Sequence, residues 1–120
     1  MPNLKLETNV KVDDPKAFAS ELSKFAAETL SKPERVVSVS YTYNETLTFA
    51  GSFEPACTLT LISLNQLNTE NNELFSKAFF HFFQEKLGVS GDRAYITFSD
   101  PGWSFIGYKG VTFNTIWGSK

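Results

Sequence analysis

The chain has 120 residues, of which 42% are hydrophobic, and this length and composition predict a single domain with one buried core. Eleven basic and 13 acidic residues give a formal net charge of −2, which disfavours the basic modules that bind nucleic acid or anionic membranes. With one cysteine and one histidine, an internal disulfide is excluded and a Cys/His zinc site is disfavoured.

The chain opens with a predicted strand and a predicted helix. Leu4 and Leu6 alternate with polar residues, which is the period of a half-buried strand. Asp14 offers a capping carboxylate and Pro15 suits the first helical position, so a helix is expected to begin here and to end before Lys32-Pro33. Residues of one helix face recur at steps of three and four: Phe18, Leu22, Phe25, Ala26, Thr29 and Leu30.

Period-two alternation returns over residues 35–43 and predicts a second strand. Asn44-Glu45 then predicts a turn into a short strand over residues 47–49.

The second half repeats this order of elements. Strands are predicted over 57–64 and 93–99, with a helix over 69–87 that ends at Gly88. The prediction is one domain, residues 1–120, made of two β-α-β pseudo-repeats at about 2–55 and 56–113 and a tail at 114–120. The predicted class is α/β (α+β), with a four-stranded mixed sheet and two helices on one of its faces.

The second face of this sheet has no predicted cover. Its residues on three strands are small or polar and uncharged: Ser38, Ser40, Thr42, Thr58, Thr60, Tyr95, Thr97 and Ser99. Such a face favours a wet interface or a channel between subunits, and a monomer with a mildly polar sheet surface is the alternative.

Charged residues within the first thirty positions interrupt any apolar leader, and no window approaches the length of a membrane span. A cytoplasmic protein without membrane insertion is therefore expected.

Pro2 has the clearest chemical implication. A small second residue normally allows removal of Met1, which would leave a secondary amine at the terminus. An α-amino group has a pKa of about 7.7 to 8.0, and burial or a nearby cation lowers it further, so such an amine is a base near neutral pH. The alternative is an N-terminal proline without a catalytic role.

A set of ordered motifs resembles the macrophage migration inhibitory factor and D-dopachrome tautomerase family over residues 1 to about 113. The motifs are Met1-Pro2, Thr8-Asn9-Val10, Lys32-Pro33, Gly51-Ser52-Phe53-Glu54-Pro55, Ser63-Leu64, Asp92-Arg93-Ala94-Tyr95-Ile96, Ile106-Gly107-Tyr108 and Thr112-Phe113. The resemblance implies a homotrimer whose sheets face a central channel, with an active site at each subunit boundary.

The resemblance also implies roles for individual residues. Pro2 would be the general base, and Lys32 the cation that lowers its pKa and receives a substrate carboxylate. The remaining substrate-binding positions would be Ser63, Leu64, Tyr95 and Thr97, of which Tyr95 would enter the neighbouring subunit's pocket, with an apolar rim of Ile106, Tyr108 and Phe113. No metal or cofactor is expected. A plain reading of Lys32 is a cation near the last carbonyls of its helix.

Several features depart from the family or stand outside the expected site. Thr97 replaces a usual Asn, and Asn65-Gln66-Leu67-Asn68 replaces a glycine-containing turn, which could reshape the pocket floor. The tail with Trp117 is expected to extend the sheet or to dock on the next subunit. Phe80 is expected to contact a neighbouring subunit or the tail, Cys57 to be buried, and His81 to be exposed.

Two functions from different classes follow. One is a cofactor-independent keto–enol tautomerase acting on phenylpyruvate-like or dopachrome-like compounds. The alternative is a leaderless, secreted cytokine-like protein that binds a receptor and has a weak or vestigial tautomerase site. A related decarboxylation or dehalogenation is weaker, because the dehalogenase branch uses additional arginines and this chain has only Arg35 and Arg93.

Overall fold

A computed structural model describes residues 1–118. The sheet consists of β1 (Asn3–Thr8), β2 (Ser38–Tyr43), β3 (Cys57–Ile62) and β4 (Ala94–Ser99). Helix α1 (Pro15–Leu30) connects β1 to β2, and helix α2 (Thr69–Leu87) connects β3 to β4. After β4 come a two-stranded hairpin, β5 (Gly107–Tyr108) and β6 (Val111–Thr112), and a short helix, α3 (Phe113–Gly118).

The strand order in the sheet is β2-β1-β3-β4. The β1–β2 and β3–β4 pairs are parallel, and the central β1–β3 pair is antiparallel. Each half of the chain therefore contributes one parallel β-α-β unit, and the predicted four-stranded mixed sheet is confirmed.

Both long helices begin and end where the sequence predicts. The Asp14 side chain accepts a hydrogen bond from the backbone N–H of Ala17, and Asn68 caps α2 in the same way through the N–H of Asn71. The residue that follows each helix has a left-handed backbone: Ser31 after α1 and Gly88 after α2. These caps bind backbone groups that the helix ends leave without partners.

The core lies between the two helices and one face of the sheet. The leucines of β1 and β3 pack there against aromatic and aliphatic residues of α1 and α2: Leu4, Leu6, Leu59, Leu61, Phe18, Leu22, Phe79 and Phe83. Cys57 belongs to this core and is fully buried, as predicted. His81 is exposed on α2, also as predicted, with its Nε2 atom 2.8 Å from Glu85 Oε2.

The opposite face of the sheet carries the predicted small polar residues, but it is not uncharged. Because β1 is a central strand, it places Lys5 beside Ser40 and Thr60, and Glu7 beside Thr42 and Thr58. The expectation of an uncharged face was wrong because it considered the residues of β2, β3 and β4 and not those of β1.

The predicted strand over residues 47–49 is not formed. This segment has only an isolated bridge between Phe49 and Ser52. Its carbonyl groups bond to side chains instead: the Asn9 amide donates to Leu47 O at 3.1 Å, and Arg93 Nη1 donates to Phe49 O at 3.1 Å. Side-chain donors thus take the place of a neighbouring strand.

Among residues 1–118, no helix is both long enough and apolar enough to cross a membrane.

Candidate active site

A cavity of about 740 Å³ opens at the start of β1. Three parts of the chain meet there: the N-terminus, the connection from α1 to β2, and the segment from Phe105 to Trp117. The walls are formed by Met1, Pro2, Asn3, Lys32, Pro33, Arg35, Val36, Val37, Ser38, Phe105, Ile106, Gly107, Tyr108, Phe113, Ile116 and Trp117. The structure thereby brings together five residues that the sequence proposes for the site: Pro2, Lys32, Ile106, Tyr108 and Phe113.

Pro2 is buried at the end of this cavity where β1 begins. Its carbonyl accepts a hydrogen bond from the N–H of Ser38, with a nitrogen–oxygen distance of 3.0 Å. This bond continues the β1–β2 ladder by one residue, so the parallel strand pair fixes the backbone of Pro2. The ring of Pro2 also fixes φ, which leaves the residue few ways to reorient.

The α-amino group of Met1 lies at the same end of the cavity. Burial lowers its pKa below the ordinary value, and the positive charge of Lys32 lowers it further. Both effects act because the protonated amine loses hydration and lies near a like charge. This end of the cavity therefore favours the neutral form of an amine.

The end of helix α1 positions Lys32. The left-handed backbone of Ser31 turns the chain out of the helix, and the N–H of Lys32 bonds to Ala27 O at 3.0 Å. This pattern is the Schellman arrangement of a helix C-terminus. It places Lys32 on the cavity wall.

A row of aromatic rings forms the outer wall. The rings of Tyr108 and Phe113 are stacked, with centroids 5.7 Å apart and planes at 6°. Phe113 contacts Trp117 at 4.6 Å, and Trp117 contacts Trp103 at 5.8 Å. Tail residues 114–118 therefore form a helix on the wall of their own chain's cavity, not an extension of the sheet. Docking on another subunit stays a prediction, and residues 119–120 lie outside the described residues.

The segment Asn65-Gln66-Leu67-Asn68 does not line this cavity in the single chain, and its effect on the pocket floor stays a prediction. Asn65 instead accepts a hydrogen bond at Oδ1 from Trp103 Nε1, at 3.0 Å. Gln66 bonds to the Ser63 hydroxyl and donates to Leu30 O at 2.9 Å. These bonds anchor the segment to Trp103, to the end of β3 and to the end of α1.

Four of the proposed site residues lie apart from this cavity. Ser63 and Leu64 are buried just after β3. Tyr95 and Thr97 lie on the open face of the sheet, and the Tyr95 side chain is 67% exposed. The roles proposed for these four residues stay predictions.

Sequence reasoning missed several residues of the cavity wall. The alternation predicts a strand that starts at Arg35, but Arg35 lies in a 3₁₀ turn over Glu34–Val36 and lines the cavity. The sequence places Ile116 and Trp117 only in a tail, and it gives no signal for Phe105. The run of apolar residues at 113, 116 and 117 has helical spacing, which was the one available signal.

Comparison with known proteins identifies the family. The sequence profile for macrophage migration inhibitory factor (MIF) matches residues 1–114. The macrophage migration inhibitory factor homolog of Trichinella spiralis is 35% identical over 114 residues, covering 94% of this chain and 100% of that protein. D-dopachrome decarboxylase-B of Xenopus laevis is 32% identical over 100 residues, covering 82% of this chain and 85% of that protein.

A solved structure supports the same assignment. The macrophage migration inhibitory factor from Trichinella spiralis superposes with a TM-score of 0.85 at 34% identity, covering 92% of this chain and 99% of that one. The match in profile, sequence and fold confirms the resemblance seen in the motifs. The chain belongs to the macrophage migration inhibitory factor family.

Proposed function

We propose that this protein is a cofactor-independent keto–enol tautomerase that acts on phenylpyruvate-like or dopachrome-like substrates. One observation carries the proposal: buried Pro2 lies at the end of the cavity where burial and Lys32 lower the pKa of the terminal amine. Removal of Met1 would make the Pro2 nitrogen that terminal amine. A neutral secondary amine at this position is a suitable general base.

In the proposed reaction, the Pro2 nitrogen takes a proton from the carbon beside the keto group. The C–H bond breaks, an N–H bond forms, and the electron pair moves to the keto oxygen as an enolate. The same proton then passes from nitrogen to that oxygen, so the enol forms with no net gain or loss of electrons. The ammonium of Lys32 would bind the substrate carboxylate and stabilise the developing negative charge.

The aromatic wall suits the other end of such a substrate. Tyr108, Phe113 and Trp117 line the cavity and contact one another, and aryl groups pack favourably against aromatic rings. The relative named D-dopachrome decarboxylase-B supports chemistry on an aromatic substrate, but its name describes that protein alone.

We further propose a homotrimer in which the open sheet faces line a channel. The polar face supports this arrangement, since Tyr95 is 67% exposed there and would reach a neighbouring subunit's cavity. Sheet edges at β2 and β4 are also without strand partners in the single chain, and assembly would cover them.

The decisive experiment measures initial rates of phenylpyruvate enolisation on protein whose terminus has been checked by intact mass. We expect activity in protein that begins at Pro2, and a loss of about 10² to 10⁴ in kcat/KM for Pro2→Gly, which removes the positioned secondary amine. A matched sample that retains Met1 should be inactive. Equal rates for processed and Met1-retaining protein would refute Pro2 as the base.

Receptor binding is a second candidate function, because the relatives that match along the whole chain carry the name macrophage migration inhibitory factor. The Pro2→Gly variant separates the two functions. Retained receptor binding by this variant would support recognition independent of catalysis.

A further inference from the structure

Among the described residues, the cavity wall carries two basic side chains and no acidic one. These are Lys32 and Arg35, although the whole chain has a net charge of −2. The cavity is therefore cationic in an acidic protein. A positive potential in a partly enclosed space attracts anions more strongly than the same charges would on an open surface.

Neither basic group is neutralised by a side chain among residues 1–118. Within the described part of the chain, the side chains of Lys32 and Arg35 have no hydrogen bond and no ion pair. The nearest acidic residue in sequence is Glu34, and its Oε2 atom accepts a hydrogen bond from the Ser23 hydroxyl of α1 at 2.8 Å. Arg35 is thus left with all its guanidinium donors available to a ligand.

The two cations are close enough in the chain to contact two anionic groups of one molecule. They are three residues apart, which places their Cα atoms no more than about 10 Å from each other. Burial is the larger cause of the lowered pKa of the terminal amine, and of the two cations Lys32 alone adds to it, so Lys32 is the cation nearer the proposed base. Arg35 lies on the same wall, three residues further along the chain.

We infer that Arg35 forms a second anion subsite, and that the protein prefers aryl acids with a second carboxylate or similar anionic group. The inference rests on the proposed function, since it specifies the substrate class of the same cavity. One carboxylate lies at Lys32 beside Pro2, and the second accepts paired N–H bonds from the Arg35 guanidinium. A planar guanidinium matches a carboxylate in this two-point geometry, which a lysine cannot reproduce.

Two unreactive ligands test the subsite apart from catalysis. The probes are 3-phenylpropanoate and its ring 4-carboxylate derivative, neither of which has a keto group to tautomerise. Calorimetric titration of the intact oligomer at pH 7 gives Kd for each, and the ratio of the two Kd values measures the preference. We expect wild type to favour the dianion at least tenfold, and added salt to reduce the ratio because screening weakens charge contacts.

Variants assign the preference to Arg35. Arg35→Gln should bring the ratio close to one, and Arg35→Lys should restore part of it. Lys16→Gln removes an exposed cation of α1 outside the cavity and should keep the wild-type ratio. Thermal unfolding of each variant verifies that it is folded.

A wild-type ratio near one, or a full preference retained in Arg35→Gln, would overturn the inference. These outcomes are independent of the phenylpyruvate assay. An active tautomerase with no dianion preference would refute only the second subsite. An inactive protein with an Arg35-dependent preference would refute only the proposed reaction.

Discussion

Trp103 holds Trp117 against the candidate site: the two indole rings meet edge to face, with centroids 5.8 Å apart and planes at 80°. Trp103 is itself fixed, since its Nε1 atom donates to Asn65 Oδ1 at 3.0 Å. A residue just beyond β3 thus positions the helix that forms the outer wall of the cavity.

Trp117 should therefore contribute to binding of an aryl substrate. We expect Trp117→Ala to raise KM for phenylpyruvate about five- to tenfold, because aromatic contacts contribute about 0.5 to 1.5 kcal/mol each. Trp117→Phe keeps a ring and should stay close to wild type. Steady-state kinetics on both variants checks this, and an unchanged KM in Trp117→Ala would show that the ring does not contact substrate.

Replacing Lys32 should change both substrate affinity and pH dependence. In Lys32→Gln, we expect KM for phenylpyruvate to rise about tenfold, because the substrate carboxylate loses a charge-assisted contact. The acidic limb of the kcat/KM profile should also move to higher pH. Lys32 lowers the pKa of the terminal amine, so its removal raises that pKa and the neutral base forms only at higher pH.

Burial is the larger cause of the lowered pKa, so the acidic limb should stay below the pH of an ordinary α-amino group. Lys16→Gln serves as the control for a general change in net charge. An acidic limb that does not move in Lys32→Gln would contradict the proposed coupling.

The sequence predicts those parts of the fold that depend on neighbouring residues. The helix start at Asp14-Pro15 and the left-handed stop at Gly88 are local features, and both are found where expected. The strand over 47–49 was predicted from a short apolar run, but a strand needs a partner. Asn9 and Arg93, distant in sequence, supply the donors that a partner strand would have supplied.

The sequence likewise predicts some residues of the candidate site and not others. Pro2 and Lys32 could be named from the family motifs, and the structure places both in one cavity. Trp117 could not, because an isolated helix as short as α3 is unstable and depends on contacts such as that with Trp103. Arg35 was missed because alternation in sequence does not reveal a single 3₁₀ turn before a strand.

Arg93 should stabilise the loop between β2 and β3. Its guanidinium donates to four backbone carbonyls, those of Phe49, Ser52, Glu54 and Pro55, at 3.0 to 3.4 Å. We expect Arg93→Gln to lower the free energy of unfolding by about 2 to 4 kcal/mol, since each hydrogen bond from a charged donor contributes about 1.5 to 3 kcal/mol and the four bonds are not additive. Urea denaturation measures the change.

Arg35→Gln is the matched control for that measurement, because Arg35 is an exposed arginine without hydrogen-bond partners in the described chain. It should unfold within about 0.5 kcal/mol of wild type. Equal stabilities for the two variants would show that the carbonyl contacts of Arg93 do not hold the loop.

Cys57 should be inert in the native protein. Burial raises the pKa of its thiol to about 12, so at pH 8 only about one molecule in 10⁴ carries the reactive thiolate. A thiol-specific reagent should therefore label the native chain slowly and the urea-unfolded chain at once. Rapid labelling without denaturant would mean that the core opens readily around Cys57 at the start of β3. The Cys57→Ala variant is the control, because any label that it takes up is bound at another residue.

The open sheet face gives the final test, which concerns assembly. Thr60 lies at its centre, directly between Lys5 of β1 and Thr97 of β4. In the proposed trimer, Thr60→Arg would place a second positive charge beside Lys5 on each of the three sheet faces that line the channel, and like charges held close together in a confined space repel one another and destabilise the assembly. Light scattering should then show monomers, whereas Ser20→Arg, on the exposed side of α1, should leave the trimer intact. If Thr60→Arg has the same mass in solution as wild type, the face is open to water and the boundary role proposed for Tyr95 has no structural basis.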